Sequence, residues 1–192
     1  LEQFHREPRA VRGLRLALPE ATQLPAFMDP GVIAAWQAAA KVFESLGVQV
    51  ISTRLPEWYF DLSVPAGRII ASEAFALHGA YVHDPAVPLG DAVRKRILAA
   101  EAFGPGDYAQ ELRTMAERRR LMADWFEGFD AVLLPTVAIP AMPVAQVEEA
   151  SPIPGYLTRP ANYLGLCALA QPSGLVRGLP ASIQIVGKPY AE

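Results

Sequence analysis

The first fifty residues alternate between two hydrophobic periods that predict a strand, a helix and a second strand. Residues 14–18 carry an apolar side chain at every second position, which predicts a β-strand. Asp29 and Pro30 form a typical helix start, and apolar residues then recur every three or four positions until Gly47. A second strand is predicted over residues 48–51. This order predicts a crossover between two parallel strands.

The middle of the chain has helical spacing, and strands return towards the end. Apolar periodicity predicts helices over 64–81, 91–103 and 108–126. The later predicted elements are a strand over 131–134, a proline-rich loop over 135–155, a short helix over 160–166 and a strand over 181–186. Residues 1–12 are polar and predict a linker or arm, followed by one α/β domain over 13–192.

Charge is spread unevenly along the sequence. Of the 17 basic and 20 acidic residues, only six lie within the last 62 positions. A chain end so poor in charge needs cover on several sides, and we predict strands of a parallel sheet buried between helices. The alternative is an apolar surface through which a small domain associates with itself.

Composition excludes several classes of protein. A net charge of −3 argues against a strongly basic nucleic-acid surface, and a hydrophobic content of 52% rules out disorder as the main state. The uncharged stretches 131–147 and 160–176 are too short and too broken by proline or glycine to predict a membrane span. Cys167 is the single cysteine, which excludes a disulfide scaffold and favours a cytoplasmic location.

Residues that could form a catalytic or metal site do not occur at the required spacings. His78 and His83 are five positions apart and do not share a helix face. Phosphate-binding, dinucleotide-binding and nucleophile-elbow patterns are missing, and no serine pairs with a lysine in a recognisable pattern. We predict no catalytic residue, no metal and no cofactor, so the chain alone should be inactive.

Three consecutive arginines lie within the third predicted helix. Residues 118–120 extend around most of the helix circumference, so they do not form a single patch. We predict a solvated face, and an anionic ligand site is the alternative.

Several sequence blocks occur in an order found in one enzyme family. Residues 129–136 read Phe-Asp-Ala-Val-Leu-Leu-Pro-Thr, and residues 158–166 read Thr-Arg-Pro-Ala-Asn-Tyr-Leu-Gly-Leu. Pro-Ser-Gly at 172–174 and Gln-Ile-Val-Gly at 184–187 follow. Together with the first strand–helix–strand unit, these blocks resemble the C-terminal half of an amidase signature family enzyme. The resemblance implies the family's α/β fold, a mixed sheet with flanking helices, and hydrolysis of amide carbon–nitrogen bonds.

The resemblance also implies that the catalytic residues and this chain lie in different halves of the enzyme. The family's serine–cis-serine–lysine triad has no matching positions in this sequence, so the domain over 13–192 would lack the N-terminal catalytic half and contribute fold and part of a substrate pocket. Gly155 stands where glutamine-using amidotransferase subunits have aspartate, which argues against glutamine as substrate. The implied substrate-binding residues are Arg96, Thr136, Arg159 and Asn162.

Some of the matched positions also have ordinary structural interpretations. Asn162 could bond the backbone at a helix start, Arg96 could be a solvated charge, and Thr136 could cap a turn. Gln184 lies in the middle of a strand, where we predict a core amide with satisfied hydrogen bonds.

Three functional hypotheses follow. The chain is a portion of an amidase acting on a small-molecule amide, a non-catalytic binding or scaffolding module, or half of a split enzyme that needs a partner chain. The first and third predict association with the missing N-terminal half, and an isolated chain is predicted to self-associate. A Gly/Ser-rich block encoded upstream would favour the first hypothesis.

Overall fold

Within residues 11–149 and 151–190, which the computed structural model describes, five strands form one mixed sheet flanked by helices. The strands are β1 (Arg15–Pro19), β2 (Gln49–Thr53), β3 (Ala131–Pro135), β4 (Cys167–Val176) and β5 (Leu179–Gly187). The helices are α1 (Pro30–Ser45), α2 (Ser63–Val82), α3 (Asp91–Leu98), α4 (Pro105–Trp125) and α5 (Arg159–Leu164). The strand order is β2-β1-β3-β5-β4, which confirms the predicted fold class. The predicted arm over 1–12 lies almost wholly outside the described residues.

The β1–α1–β2 unit forms as its periodicity predicts. Strands β1 and β2 are parallel and in register from Arg15 opposite Gln49. Asp29 caps α1 by accepting a hydrogen bond from the Gly31 amide at 2.8 Å. The buried face of α1 includes Trp36, whose indole Nε1 donates to the carbonyl of Leu133 in β3 at 3.0 Å. This bond fixes the helix over the middle of the sheet.

The charge-poor end of the chain is only partly a buried parallel sheet. Strand β3 pairs in parallel with β1, and residues 132–135 are buried as predicted. Strand β5 instead runs antiparallel to β3, and β4 runs antiparallel to β5. The prediction of parallel strands was therefore wrong for β5. A tight hairpin joins β5 to β4, which makes this pair antiparallel, because a parallel pair would need a long crossover.

Strand β4 was not predicted from the sequence. It contains Pro172 and Gly174, which weaken a strand pattern, and its ladder shifts register between these two residues. Proline is tolerated there because β4 lies at the edge of the described sheet, where one side of the strand needs no partner.

The helices of the middle region follow the predicted spans closely. The predicted helix over 91–103 divides into α3 and a 3₁₀ turn, Ala99–Ala102. Helix α4 begins at Pro105, where Asp107 accepts a hydrogen bond from the Gly104 amide at 2.8 Å. None of the helices in the described part of the chain is long and apolar enough to cross a membrane.

The arginine run on α4 is exposed, as predicted, at Arg119 and Arg120, whereas Arg118 is half-buried. Arg118 lies over the rings of Trp58 and Tyr163, at 5.6 and 6.0 Å from their centroids, and its Nη1 is buried. Arg119 donates from Nε to the Tyr163 carbonyl at 3.1 Å, whereas Arg120 forms a surface ion pair. Arg118 and Arg119 therefore pack against α5. The sequence of residues 118–120 alone does not indicate this contact.

The β4–β5 hairpin is attached to the start of α1. Its turn places Arg177 at φ +50° and Gly178 at φ +78°. The Arg177 Nη2 donates to the Asp29 carboxylate at 2.6 Å, so the helix-capping residue also holds the hairpin. This hydrogen bond, together with the backbone donors of α1, lowers the pKa of Asp29 against the opposing effect of desolvation.

Replacing Asp29 with Asn should lower the melting temperature at neutral pH and have less effect in acid. A carboxyl whose pKa is lower in the folded state stabilises the protein above its unfolded pKa, about 3.8. That stabilisation disappears as the pH falls through the lower folded-state pKa. Thermal denaturation of both proteins from pH 7 to pH 3 measures the difference. Asp124→Asn, in the exposed pair with Arg120, is the control and should change little. A pH-independent effect of Asp29→Asn would contradict the charge argument.

Candidate functional site

Near Thr136, two parallel strands end at the same side of the sheet. Because β1 and β3 are parallel, both strands end at the same side, where open α/β sheets bind their ligands. The Thr136 amide donates to the Ser182 carbonyl at 3.1 Å. Its Oγ1 is buried and has no hydrogen-bond partner among the described residues, so the hydroxyl does not cap a turn there. A buried hydroxyl without a partner is a candidate ligand contact.

Gln184 connects this strand end to the segment that leads into α5. Its side chain is 2% exposed, and Nε2 donates to the carbonyls of Pro135 and Leu157 at 3.0 and 2.8 Å. The prediction of a satisfied core amide is confirmed. Through Gln184, the segments that carry Thr136 and Arg159 are tied to each other.

The start of α5 is organised by the turn before it. Thr158 donates from Oγ1 to the Gly155 carbonyl at 3.1 Å. Arg159 is half-buried and makes no ion pair with any residue in the described ranges, and its Nη2 lies 3.9 Å from where a Cβ on Gly155 would stand. Asn162, further along the helix, is exposed.

Arg96 lies on the exposed surface of α3 and contacts a different part of the loop. Its Nη2 donates to the Glu149 carbonyl, in the proline-rich segment between β3 and α5. The structure therefore connects Thr136 and Arg159 through Gln184, while Arg96 holds the loop at a separate point. Arg96 is exposed, as the interpretation of a solvated charge requires, but its guanidinium also binds the loop.

Tyr156 and Ser173 were not among the predicted site residues. The Tyr156 ring packs edge-to-face on Phe27 with centroids 5.1 Å apart. Burial, and secondarily the charge of Asp61, raise the pKa of Tyr156 further above neutrality. Ser173 has a buried Oγ without a partner in the described ranges and lines a cleft of about 490 Å³ between α1 and β4. Their positions depend on tertiary contacts that no local pattern signals.

Metal-binding side chains do not converge in this region. Across residues 11–149 and 151–190, no group of three or more His, Cys, Asp or Glu side chains could hold a metal ion. The chemistry available around Thr136 is hydrogen bonding by hydroxyl groups and attraction of anions by Arg159.

Comparison with known proteins identifies the family by sequence. The amidase family model matches residues 3–192. A glutamyl-tRNA(Gln) amidotransferase subunit from Symbiobacterium thermophilum is 31% identical over 219 residues, covering 99% of this chain and 44% of the relative. The corresponding subunit from Myxococcus xanthus is 31% identical over 210 residues, covering 95% of this chain and 43% of the relative. The chain thus spans less than half the length of these relatives.

Solved structures share the fold at lower identity. A crystal structure of an amidase has a TM-score of 0.83 at 24% identity, covering 95% of this chain and 43% of its own. A bacterial aryl acylamidase of the amidase signature family has a TM-score of 0.77 at 24% identity, with coverages of 95% and 41%. The glutamyl-tRNA(Gln) amidotransferase subunit from Thermotoga maritima has a TM-score of 0.67 at 23% identity, with coverages of 95% and 40%. With the family model matching nearly every residue, the chain belongs to the amidase signature family.

Proposed function

We propose that this chain is the C-terminal portion of an amidase that hydrolyses the carbon–nitrogen bond of a small amide. The observation that carries the proposal is the match of residues 3–192 to the amidase model, combined with coverage of only 44% of the Symbiobacterium relative. In this proposal the chain supplies fold and one wall of the substrate pocket. The serine–cis-serine–lysine triad belongs to the part of the amidase that the chain does not span.

The surroundings of serine and lysine support a triad outside this chain. A serine nucleophile needs a base within hydrogen-bond reach, and a lysine base must be desolvated to act at neutral pH. Ser173 Oγ has no hydrogen-bond partner among the described residues. Lys41, Lys95 and Lys188 are all exposed to solvent. These environments do not activate a nucleophile, and they fit a role in binding.

The charge around α5 supports a neutral or anionic amide as the substrate. Glutamine carries an α-ammonium group, which a binding site recognises with a carboxylate. Gly155 offers no carboxylate at the position that resembles the aspartate of glutamine-using subunits, and the Arg159 guanidinium lies beside it. A cationic substrate would be repelled there, while a carboxylate or carbonyl oxygen would be attracted. We place Thr136, Arg159, Asn162 and Arg96 in the wall of this pocket.

We place the enzyme in the cytoplasm, since a single cysteine forms no disulfide within the chain. Its principal partner is the remaining part of the amidase, joined to it in the same polypeptide. Half of a split enzyme remains the alternative, and the two differ only in whether a peptide bond joins the parts.

The purified 192-residue chain should not hydrolyse amides. A panel of neutral and anionic aryl amides, followed by release of the chromophoric amine, is the measurement. The same panel should be turned over once the chain is joined to the remaining part of an amidase. Turnover by the chain alone that is lost in Ser173→Ala or Ser182→Ala would contradict the proposed division of labour.

In an active enzyme that contains this chain, Arg159→Ala should lower kcat/KM about tenfold or more, chiefly through KM. The loss of a charge-assisted hydrogen bond to substrate is worth about 1.5–3 kcal/mol, which corresponds to that change. Arg96→Ala should have a smaller effect, because Arg96 contacts the loop at Glu149. Lys95→Ala, one position away on α3, is the matched control and should leave both constants unchanged. Unchanged kinetics for both arginine variants would remove them from the pocket.

A further inference from the structure

A cleft between α2 and the start of α4 is lined by three aromatic side chains. Phe75 lies on α2, Tyr108 lies near the start of α4, and Phe103 directly follows the 3₁₀ turn that leads from α3. All three residues are partly buried. The cleft has a volume of about 290 Å³, close to the lower limit of the roughly 300–1,000 Å³ that is typical of ligand sites. A cleft of this size has room for a small chemical group.

Two of the rings are held in place by neighbouring residues. The Phe75 ring lies against Gly79, one turn further along α2, where a Cβ would stand only 3.2 Å from the ring. The Phe103 ring lies beside Arg68, whose Cζ is 5.5 Å from the ring centroid. Arg68 is in turn paired with Glu111 at 2.7 Å. Phe103 therefore already contacts one cation, and Glu111 balances the charge of that cation.

Glu73 adds a negative charge to the same cleft. Its Oε1 accepts a hydrogen bond from the Tyr108 hydroxyl at 3.0 Å. Within the described part of the chain, Glu73 forms no ion pair. The first turn of α4 would otherwise favour an anion, but Asp107 already occupies it and accepts a hydrogen bond from the Gly104 amide. The cleft therefore combines aromatic walls with a carboxylate that has no cationic partner among the described residues.

This combination suits one class of cation better than others. A quaternary ammonium group is surrounded by methyl groups, donates no hydrogen bond and is attracted by aromatic rings. A primary ammonium group has three N–H donors, each of which needs an acceptor when water is removed. The side-chain acceptors that line the cleft are few, chiefly Glu73 and Tyr108. Nor does any group of three or more metal-binding side chains occur in the described ranges.

We propose that this cleft binds a quaternary ammonium group, with Glu73 as the opposite charge and Phe75, Phe103 and Tyr108 as the walls. The residues placed in the wall of the amide pocket do not line this cleft, so the inference does not depend on the proposed function. Glu73 is exposed, and water therefore screens part of its attraction for a cation. We expect a millimolar dissociation constant for a ligand that consists of little more than the ammonium group.

Choline is the probe, and its uncharged isostere, in which carbon replaces the quaternary nitrogen, is the matched ligand. Each is titrated into the nitrogen-labelled 192-residue chain at constant ionic strength, and amide shifts are followed by NMR. Choline should cause saturable shifts in residues 72–76 and 103–108. It should bind about tenfold or more tightly than the uncharged isostere, because only choline gains the electrostatic attraction. Residues 49–53 of β2 should not shift.

Variants separate the charge of Glu73 from the shape of the cleft. Glu73→Gln keeps the volume and an acceptor for Tyr108, so it should weaken choline about threefold or more and leave the uncharged isostere unchanged. Glu44→Gln, at an exposed position on α1, makes the same change in net charge and should alter neither affinity. Phe75→Leu should weaken choline about threefold or more, because it removes an aromatic wall. Melting temperatures of the variants report on folding separately from binding.

Several results would overturn the ammonium site. They are equal affinity for choline and its uncharged isostere, choline binding that Glu73→Gln leaves unchanged, an equal loss in Glu44→Gln, or choline shifts that lie outside the cleft. Shifts that do not saturate would also contradict it. If Phe75→Leu does not fold, the comparison of Glu73→Gln with Glu44→Gln decides the question, since both changes replace an exposed carboxylate with an amide of the same size.

Discussion

Gln184→Met should lower the free energy of unfolding by about 2–4 kcal/mol. The methionine fills a similar volume but leaves the buried carbonyls of Pro135 and Leu157 without their donor, and each such loss costs about 1–3 kcal/mol. Urea denaturation followed by tryptophan fluorescence gives the midpoint and the slope. The midpoint should fall with the slope unchanged.

The control for Gln184 is Gln49→Met, because Gln49 is exposed on β2. That change should stay within about 0.5 kcal/mol of the unchanged chain. A Gln184 variant as stable as the control would show that the two carbonyls find other donors. In an active enzyme, the Gln184 variant should also raise KM at temperatures where it remains folded, since the segment carrying Arg159 would lose its tie to the end of β3.

Trp36→Ala should destabilise the chain by about 3–5 kcal/mol, a large fraction of the roughly 5–15 kcal/mol that is typical of a folded domain. The indole is 1% exposed between α1 and the sheet, and its removal leaves a cavity and abolishes the hydrogen bond to the Leu133 carbonyl. Trp36→Phe keeps much of the packing and should cost less. Urea midpoints of both variants measure the difference.

Val42→Ala serves as the control for Trp36. Val42 is on the same helix and 57% exposed, so this change should stay within about 0.5 kcal/mol. Equal stability of the Trp36→Ala and Val42→Ala proteins would show that α1 does not depend on its contact with β3.

The sequence predicted those elements whose pattern is local. The periods of two and of three to four, with Asp29 at a helix start, were enough to define β1, α1 and β2. The sequence pattern did not predict strand β4, because Pro172 and Gly174 interrupt its alternation. Its pairing with β5 in the structure identifies it as a strand. The packing of Arg118 was not predicted either, because the rings that it contacts, Trp58 and Tyr163, lie far away in sequence.

The candidate site followed from the family resemblance rather than from pattern. The match of residues 129–136 and 158–166 indicated Thr136, Arg159 and Asn162. It could not indicate that Gln184 joins the two segments, because its hydrogen bonds reach across 49 and 27 positions of sequence. The contact of Arg96 with the Glu149 carbonyl also depends on how the loop between β3 and α5 folds back onto α3.

The central position of β3 has a consequence for biosynthesis. One of its neighbours, β1, is held near it by a hydrogen bond from the Arg15 amide to Asp130 across 115 positions, and the other, β5, is the last strand described. A ribosome therefore has to release the chain from β1 to β5 before the middle of the sheet can be completed. Contacts of such long sequence separation slow folding, and the apolar residues of β3 stay accessible while translation continues. Chaperone binding during synthesis would protect this strand until β5 emerges.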